Sequence, residues 1–295
     1  MMNDEQSRPS PQSSLAARPS VFSVLKVLCA VLLCLSCGGC ANQPPSQNAL
    51  SGVRLRVTMQ FRQPPNPNWL YYFVINNAGN RNAAGPIPVG TPLPDLTYGN
   101  GFATASDNGA SSSTNKGGFT DFVLWGQNLY SGATQNNYAL YHVVGDANDR
   151  SKFRSSGVPL TSTAPSSDPT DIAGSTTLTF ELDLSQIVRD ALGNTVDANT
   201  AANTARALQY LQVNIIATNI APLNTASLLK ASDSMGDTSN GRGSYLTLDV
   251  QQTRSVSSTD TSLPETNEPT FYDVYGANGI SPLDLTAWRI DVTRN

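Results

Sequence analysis

The chain has 295 residues, a formal net charge of −4, 39% hydrophobic residues and only 14% charged ones. Once a targeting segment is set aside, that length suffices for one large domain with a sizeable core, and the composition excludes a coiled coil and a charged disordered tail. The basic residues stand singly, so no run of phosphates could be neutralised and nucleic acid is excluded as a partner.

Residues 1–39 read as an address. Arg8, Arg18 and Lys26 precede the apolar run 27–35, which is nine residues long and is followed by Ser36, Cys37, Gly38, Gly39 and Cys40. A membrane-spanning helix needs roughly 20 apolar residues, so this run has the length of a signal-peptide core instead. Small residues ending in a cysteine resemble the lipobox of bacterial lipoproteins, in which that cysteine is diacylated and becomes the mature N-terminus. Gly39 matches the family pattern before Cys40, while Cys37 stands where the family usually has Leu. The competing acceptor is Cys37, which also lacks the Leu. Cys40 is favoured because all four cysteines (Cys29, Cys34, Cys37, Cys40) lie in this segment. Acylation at Cys40 therefore leaves no unpaired thiol in an oxidising compartment and no disulfide in the mature domain. Each buried acyl CH₂ contributes about 0.8 kcal/mol, which gives the motif a physical purpose. The resemblance implies export, a lipid anchor in the cell envelope and, because Ala41 rather than Asp follows Cys40, transfer to the outer membrane in a diderm host. Residues 40–51 form the lipidated tether, with prolines that keep it semi-extended.

Residues 52–295 read as a single all-β domain, an antiparallel sandwich of jelly-roll-like character with long loops and one or two short helices. Val53, Leu55, Val57, Met59 and Phe61 alternate with Arg54, Arg56, Thr58 and Gln60, the pattern of a strand covered on one face. The run 69–75 is apolar throughout and predicts a central strand buried on both sides. Further strands are predicted at 119–125, 138–144, 176–184, 211–218, 245–250 and 288–292. In two of these, Leu178, Phe180, Leu182 and Leu184, and then Leu211, Val213, Ile215 and Ala217, define one apolar face. The absence of regular β–α alternation argues against a doubly wound sheet. One helix is predicted over 186–192, capped by Ser185 and stopped by Gly193, and a second over about 200–207. The stretches 76–118, 155–174, 233–243 and 255–270 carry turn chemistry over lengths that ordinary hairpins do not need, so they are expected to be functional or mobile loops.

Chemistry is easier to exclude than to assign. His142 is the only histidine, so a multi-histidine zinc site is impossible, and no Gly-x-Ser-x-Gly elbow accompanies it. It reads as an ordinary strand residue. Gly99 and Gly101 begin a dinucleotide fingerprint that lacks its third glycine, and no Walker sequence occurs. Calcium is the one cofactor the loops suggest. Its candidate ligands are Asp146, Asn148 and Asp149 in one loop and Asp233 and Asp237 in another, neither with EF-hand spacing. Glu181 and Asp183 read as the solvated face of a strand. Of the aromatic residues crowded between 69 and 141, the loop rings Tyr98, Phe102 and Tyr130 are expected to be exposed and able to stack on sugar rings, whereas Tyr71, Phe73, Phe122 and Trp125 are expected in the core. The functional expectation is a non-enzymatic, lipid-anchored envelope protein that binds or scaffolds glycans or envelope proteins. The alternatives are a carbohydrate-binding module and a glycan-acting hydrolase using an Asp pair, whose carboxyl groups would face each other across a cleft.

Overall fold

A computed structural model of the chain describes residues 51–88, 102–105, 118–129, 134–147, 149–160, 174–190, 192–219, 231–236, 245–261, 263–265 and 282–295. All belong to the second of the two units into which the chain divides, Met1–Gln47 and Asn48–Asn295. The expected all-β sandwich is present, built from two antiparallel sheets.

The period-two pattern of β1 (Val53–Phe61) places it between two partners in a four-stranded sheet of order β12-β13-β1-β8. It pairs along its length with β13 (Leu285–Arg294) and β8 (Thr177–Asp183), and β12 (Arg254–Ser257) completes the far edge. The inward residues Leu55, Val57, Phe180, Leu182, Ile290 and Val292 are wholly or almost wholly buried. On the outward face the register sets Arg56 opposite both Glu181 and Asp291, so charges of opposite sign alternate across three strands. This side tolerates water without needing a cover.

The second sheet lies under different constraints. Its order is β10-β9-β2-β5-β6-β7, with β11 also pairing β9; the strands are β2 (Leu70–Asn76), β5 (Asp121–Gln127), β6 (Thr134–Val143), β7 (Phe153–Pro159), β9 (Tyr210–Thr218), β10 (Ser232–Ser234) and β11 (Leu246–Asp249). Every residue of β2 is buried, as its unbroken apolar sequence predicts. Tyr71, Phe73 and Ile75 face the first sheet, while Leu70, Tyr72 and Val74 join a second cluster on the opposite face with Phe102, Phe119, Phe122, Tyr141 and Phe153. Tyr71 and Tyr138 lie deep in the inner core, and burial pushes both phenols above their ordinary range.

Described parts of the long connection after β2 lie on that outer face. Part of it forms a ribbon of β3 (Pro86–Pro88) and β4 (Ala103–Ala105), and β3 approaches β9, β10 and β2. Three buried amides of the sheet hold the connection down. Asn76 Nδ2 donates to Ala84 O at 2.7 Å, Gln212 Nε2 to Asn80 O at 2.7 Å, and Asn214 Nδ2 to Pro86 O at 2.9 Å. These bonds satisfy carbonyls that would otherwise be costly to bury.

Helical structure departs from expectation in one place. The helix predicted over 186–192 is a single 3₁₀ turn, Leu184–Ile187, capped by Asp183 rather than Ser185. Asp183 accepts from Ser185 N while Gln186 accepts from Asp183 N, a reciprocal cap that starts the turn two residues early. Asp183 is thereby buried, where a solvated face was expected. The second helix, α1 (Ala198–Ala207), forms as expected, with Asp197 capping its first N–H groups and Ala201, Ala202 and Ala205 packed inward. Strands β7, β10 and β12 occupy stretches expected to be loops. Each sits at or near a sheet edge, so its pairing comes from the neighbour's hydrogen bonds and its sequence carries no alternation.

Gly126 shows how tightly the second sheet is joined. Its φ is +105° beside a register shift in β5, and a Cβ there would stand 2.0 Å from Trp69 O, the acceptor of the Gln127 N–H. Gly126→Ala is expected to lower stability by about 1–3 kcal/mol, read as a lower denaturation midpoint at unchanged slope.

Candidate functional site

The register of β5 and β6 sets Asp121 directly opposite His142. Both point toward the first sheet, in line with Val123 and Leu140, at the end of the sandwich where the inner core stops. The segment after the 3₁₀ turn closes this end. Ile187 and Val188 join the core, and Arg189 is held in a β-bridge with Thr195. Strand pairing and one capped turn thus bring together three residues distant in sequence.

His142 Nδ1 lies 2.6 Å from Asp121 Oδ1, and Arg189 Nη2 lies 2.5 Å from His142 Nε2. A guanidinium can only donate, so Nε2 accepts and the ring hydrogen sits on Nδ1, facing the carboxylate. The other oxygen of Asp121 accepts from Thr120 Oγ1 at 2.7 Å and from Asn77 Nδ2 at 3.1 Å. Asn77 Nδ2 also reaches Ile187 O. Asp121 is 2% exposed and His142 4%, which makes a buried carboxylate tolerable only because several donors surround it. Burial pulls the Arg189 guanidinium below its ordinary value, and the negative charge of Asp121 opposes that effect.

The network lines a cleft of about 200 Å³ together with Val143, Val144, Gly145, Asp190 and Gly193. Asp190 accepts from Leu192 N, Asn194 N and Asn194 Nδ2, and these bonds hold its carboxyl below the usual range. The arrangement orients and fixes charge. With Nε2 occupied by Arg189, His142 has no lone pair free to activate a nucleophile, which a Ser-His-Asp relay would require.

The sequence reading of His142 as an ordinary strand residue missed this constellation, and Asp121 and Arg189 drew no attention at all. The available signal was an Asp opening the apolar run Phe122, Val123, Leu124, Trp125, a position where an unpaired carboxylate would be costly.

The expected platform of exposed rings is corrected at Phe102. This ring is 1% exposed and stacks on Tyr72 with centroids 4.1 Å apart and planes at 3°. It is a core residue of the outer cluster, because the face of β2 beneath it is apolar and needs a cover. Tyr98 and Tyr130 lie outside the described residues, as do Cys40, Asn148 and Asp237. The other calcium candidates are engaged in local structure. Asp233 Oδ1 accepts from Ser234 N and Oδ2 from Leu285 N, tying β10 to β13. Asp149 accepts from Ser151 N beside Lys152, and Asp146 O closes the same turn. Among the described residues, no group of three or more His, Cys, Asp or Glu side chains converges on a point where a metal ion could sit.

Two substitutions test these assignments. Phe102→Ala is expected to cost about 3–5 kcal/mol of stability in a denaturant titration, the value for a buried ring, whereas an exposed ring would cost almost nothing. Asp121→Ala removes one partner of a buried ionic network and should cost about 3–5 kcal/mol by the same measurement.

No family model, curated protein or solved structure matches this chain.

Proposed function

We propose that the protein is a lipid-anchored component of the bacterial cell envelope, tethered through Cys40, whose β-sandwich binds or scaffolds envelope material without catalysing a reaction. The observation that carries this reading is the N-terminal sequence itself: Lys26, an apolar run too short to span a bilayer, and small residues ending at Cys40. The rest of the chain is compatible with it. Residues 41–295 contain no cysteine, so the domain suits an oxidising compartment without relying on a disulfide. The network of Asp121, His142 and Arg189 saturates its own acid–base groups, which supports a binding role over a catalytic one. The stretch from Cys40 to Ser51 spans at most ~40 Å if fully extended, so the anchor would keep the domain close to the bilayer.

Intact mass and membrane partition in a bacterial host test the proposal. A lipidated mass and membrane association should be present in the wild type and in Cys37→Ala, and absent from Cys40→Ala. An unmodified, freely secreted wild-type protein would overturn it.

A further inference from the structure

The cleft beside Asp121, His142 and Arg189 has donors and acceptors of unequal availability. Arg189 carries five N–H donors. One on Nη1 goes to Val188 O and one on Nη2 to His142 Nε2, which leaves three without a partner among the described residues. Both carboxylates of the cleft are in the opposite condition. Asp121 accepts from His142, Thr120 and Asn77, and Asp190 from Leu192 and Asn194, so neither has a vacant site that demands a cation. The Nδ2 group of Asn77 is engaged twice while its Oδ1 accepts nothing among the described residues. The cleft therefore presents a half-buried cation with spare donors and a nearby neutral acceptor. Its volume of about 200 Å³ is below the ~300–1,000 Å³ of sites for drug-sized ligands, so the occupant is small.

We infer that this cleft binds a small hydroxy acid, whose carboxylate takes the free N–H groups of Arg189 and whose hydroxyl donates to Asn77 Oδ1. A guanidinium matches a carboxylate through paired N–H donors, and partial desolvation strengthens the match. The network behind it holds the guanidinium in place before the ligand arrives, which reduces the ordering cost of binding. The negative charges of Asp121 and Asp190 oppose an incoming anion and limit affinity to about the millimolar range. The inference concerns the sandwich alone and is independent of the lipid anchor, so a soluble, unlipidated product would leave it standing.

Because His142 is the only histidine, isotope-labelled histidine in the full-length protein gives a single imidazole reporter inside the network. Titration with lactate should move its resonances saturably. Acetate, lacking the hydroxyl, should bind more weakly, and lactamide, lacking the charge, should not bind. Arg189→Lys keeps the charge but loses the fork and should weaken lactate by about tenfold or more. Val144→Phe enlarges a side chain that lines the cleft and should abolish the lactate response while the Nδ1 proton signal of His142 persists, which separates a blocked site from an unfolded one. Equal, unsaturating drifts with lactate and lactamide would overturn the inference. So would an undiminished lactate response in Val144→Phe.

Discussion

The burial of β2 on both faces is the constraint on which the rest of the structure depends. A two-layer sandwich buries only one side of each sheet, and the first sheet meets that limit by alternating apolar residues with charges. The second sheet cannot, since Leu70, Tyr72 and Val74 project from its outer side together with Phe122 and Leu124 of β5. Exposed, they would form an apolar patch of a kind that soluble domains rarely leave open. The chain resolves this with its own connection between β2 and β5, whose described residues include the ribbon β3–β4 and the rings of Phe102 and Phe119 on that face. The result is a third layer made from a loop.

That solution imposes a polar cost which the sequence also meets. A loop laid on a sheet brings backbone carbonyls away from water, and the far end of the same face carries Asn76, Gln212 and Asn214 to receive it. One surface thus has two halves, aromatic under the β4 end and amide under the β3 end. The amides do not disturb the core because Gln212 and Asn214 share the outer face of β9 with Ile216 and Asn76 shares that of β2 with Tyr72 and Val74, while Leu211, Val213 and Ile215 on the other side remain in the inner cluster.

At the end of the sandwich the same economy produces the cleft. Where β5 begins, the apolar side chains of its inner face give way to Asp121, paired with His142 of β6. The 3₁₀ turn capped by Asp183 sends Ile187 and Val188 into the core and delivers Arg189 to the imidazole. The network is stable as a unit because each member satisfies another. Asp121 and His142 are set by strand register, whereas Arg189 and Asn77 come from the segments that follow the 3₁₀ turn and β2 and are fixed by their hydrogen bonds to the network.

The sequence by itself determined the strands whose apolar residues repeat with period two, the double burial of β2 and the helix α1. Those features are local: alternation, run length and capping residues act within a few positions. Only the tertiary structure decided the rest. The edge strands β7, β10 and β12 take their pairing from neighbours. Gln212 and Asn214 look like water-facing residues until a loop more than a hundred residues away in sequence covers them. Phe102 sits in a stretch rich in turn formers, and only its stacking on Tyr72 reveals it as core. His142 looked ordinary because its partners come from β5 and from beyond β8. Whether a polar side chain faces water, caps a turn or completes a buried network depends on what covers it, and that is fixed by contacts the local pattern does not encode.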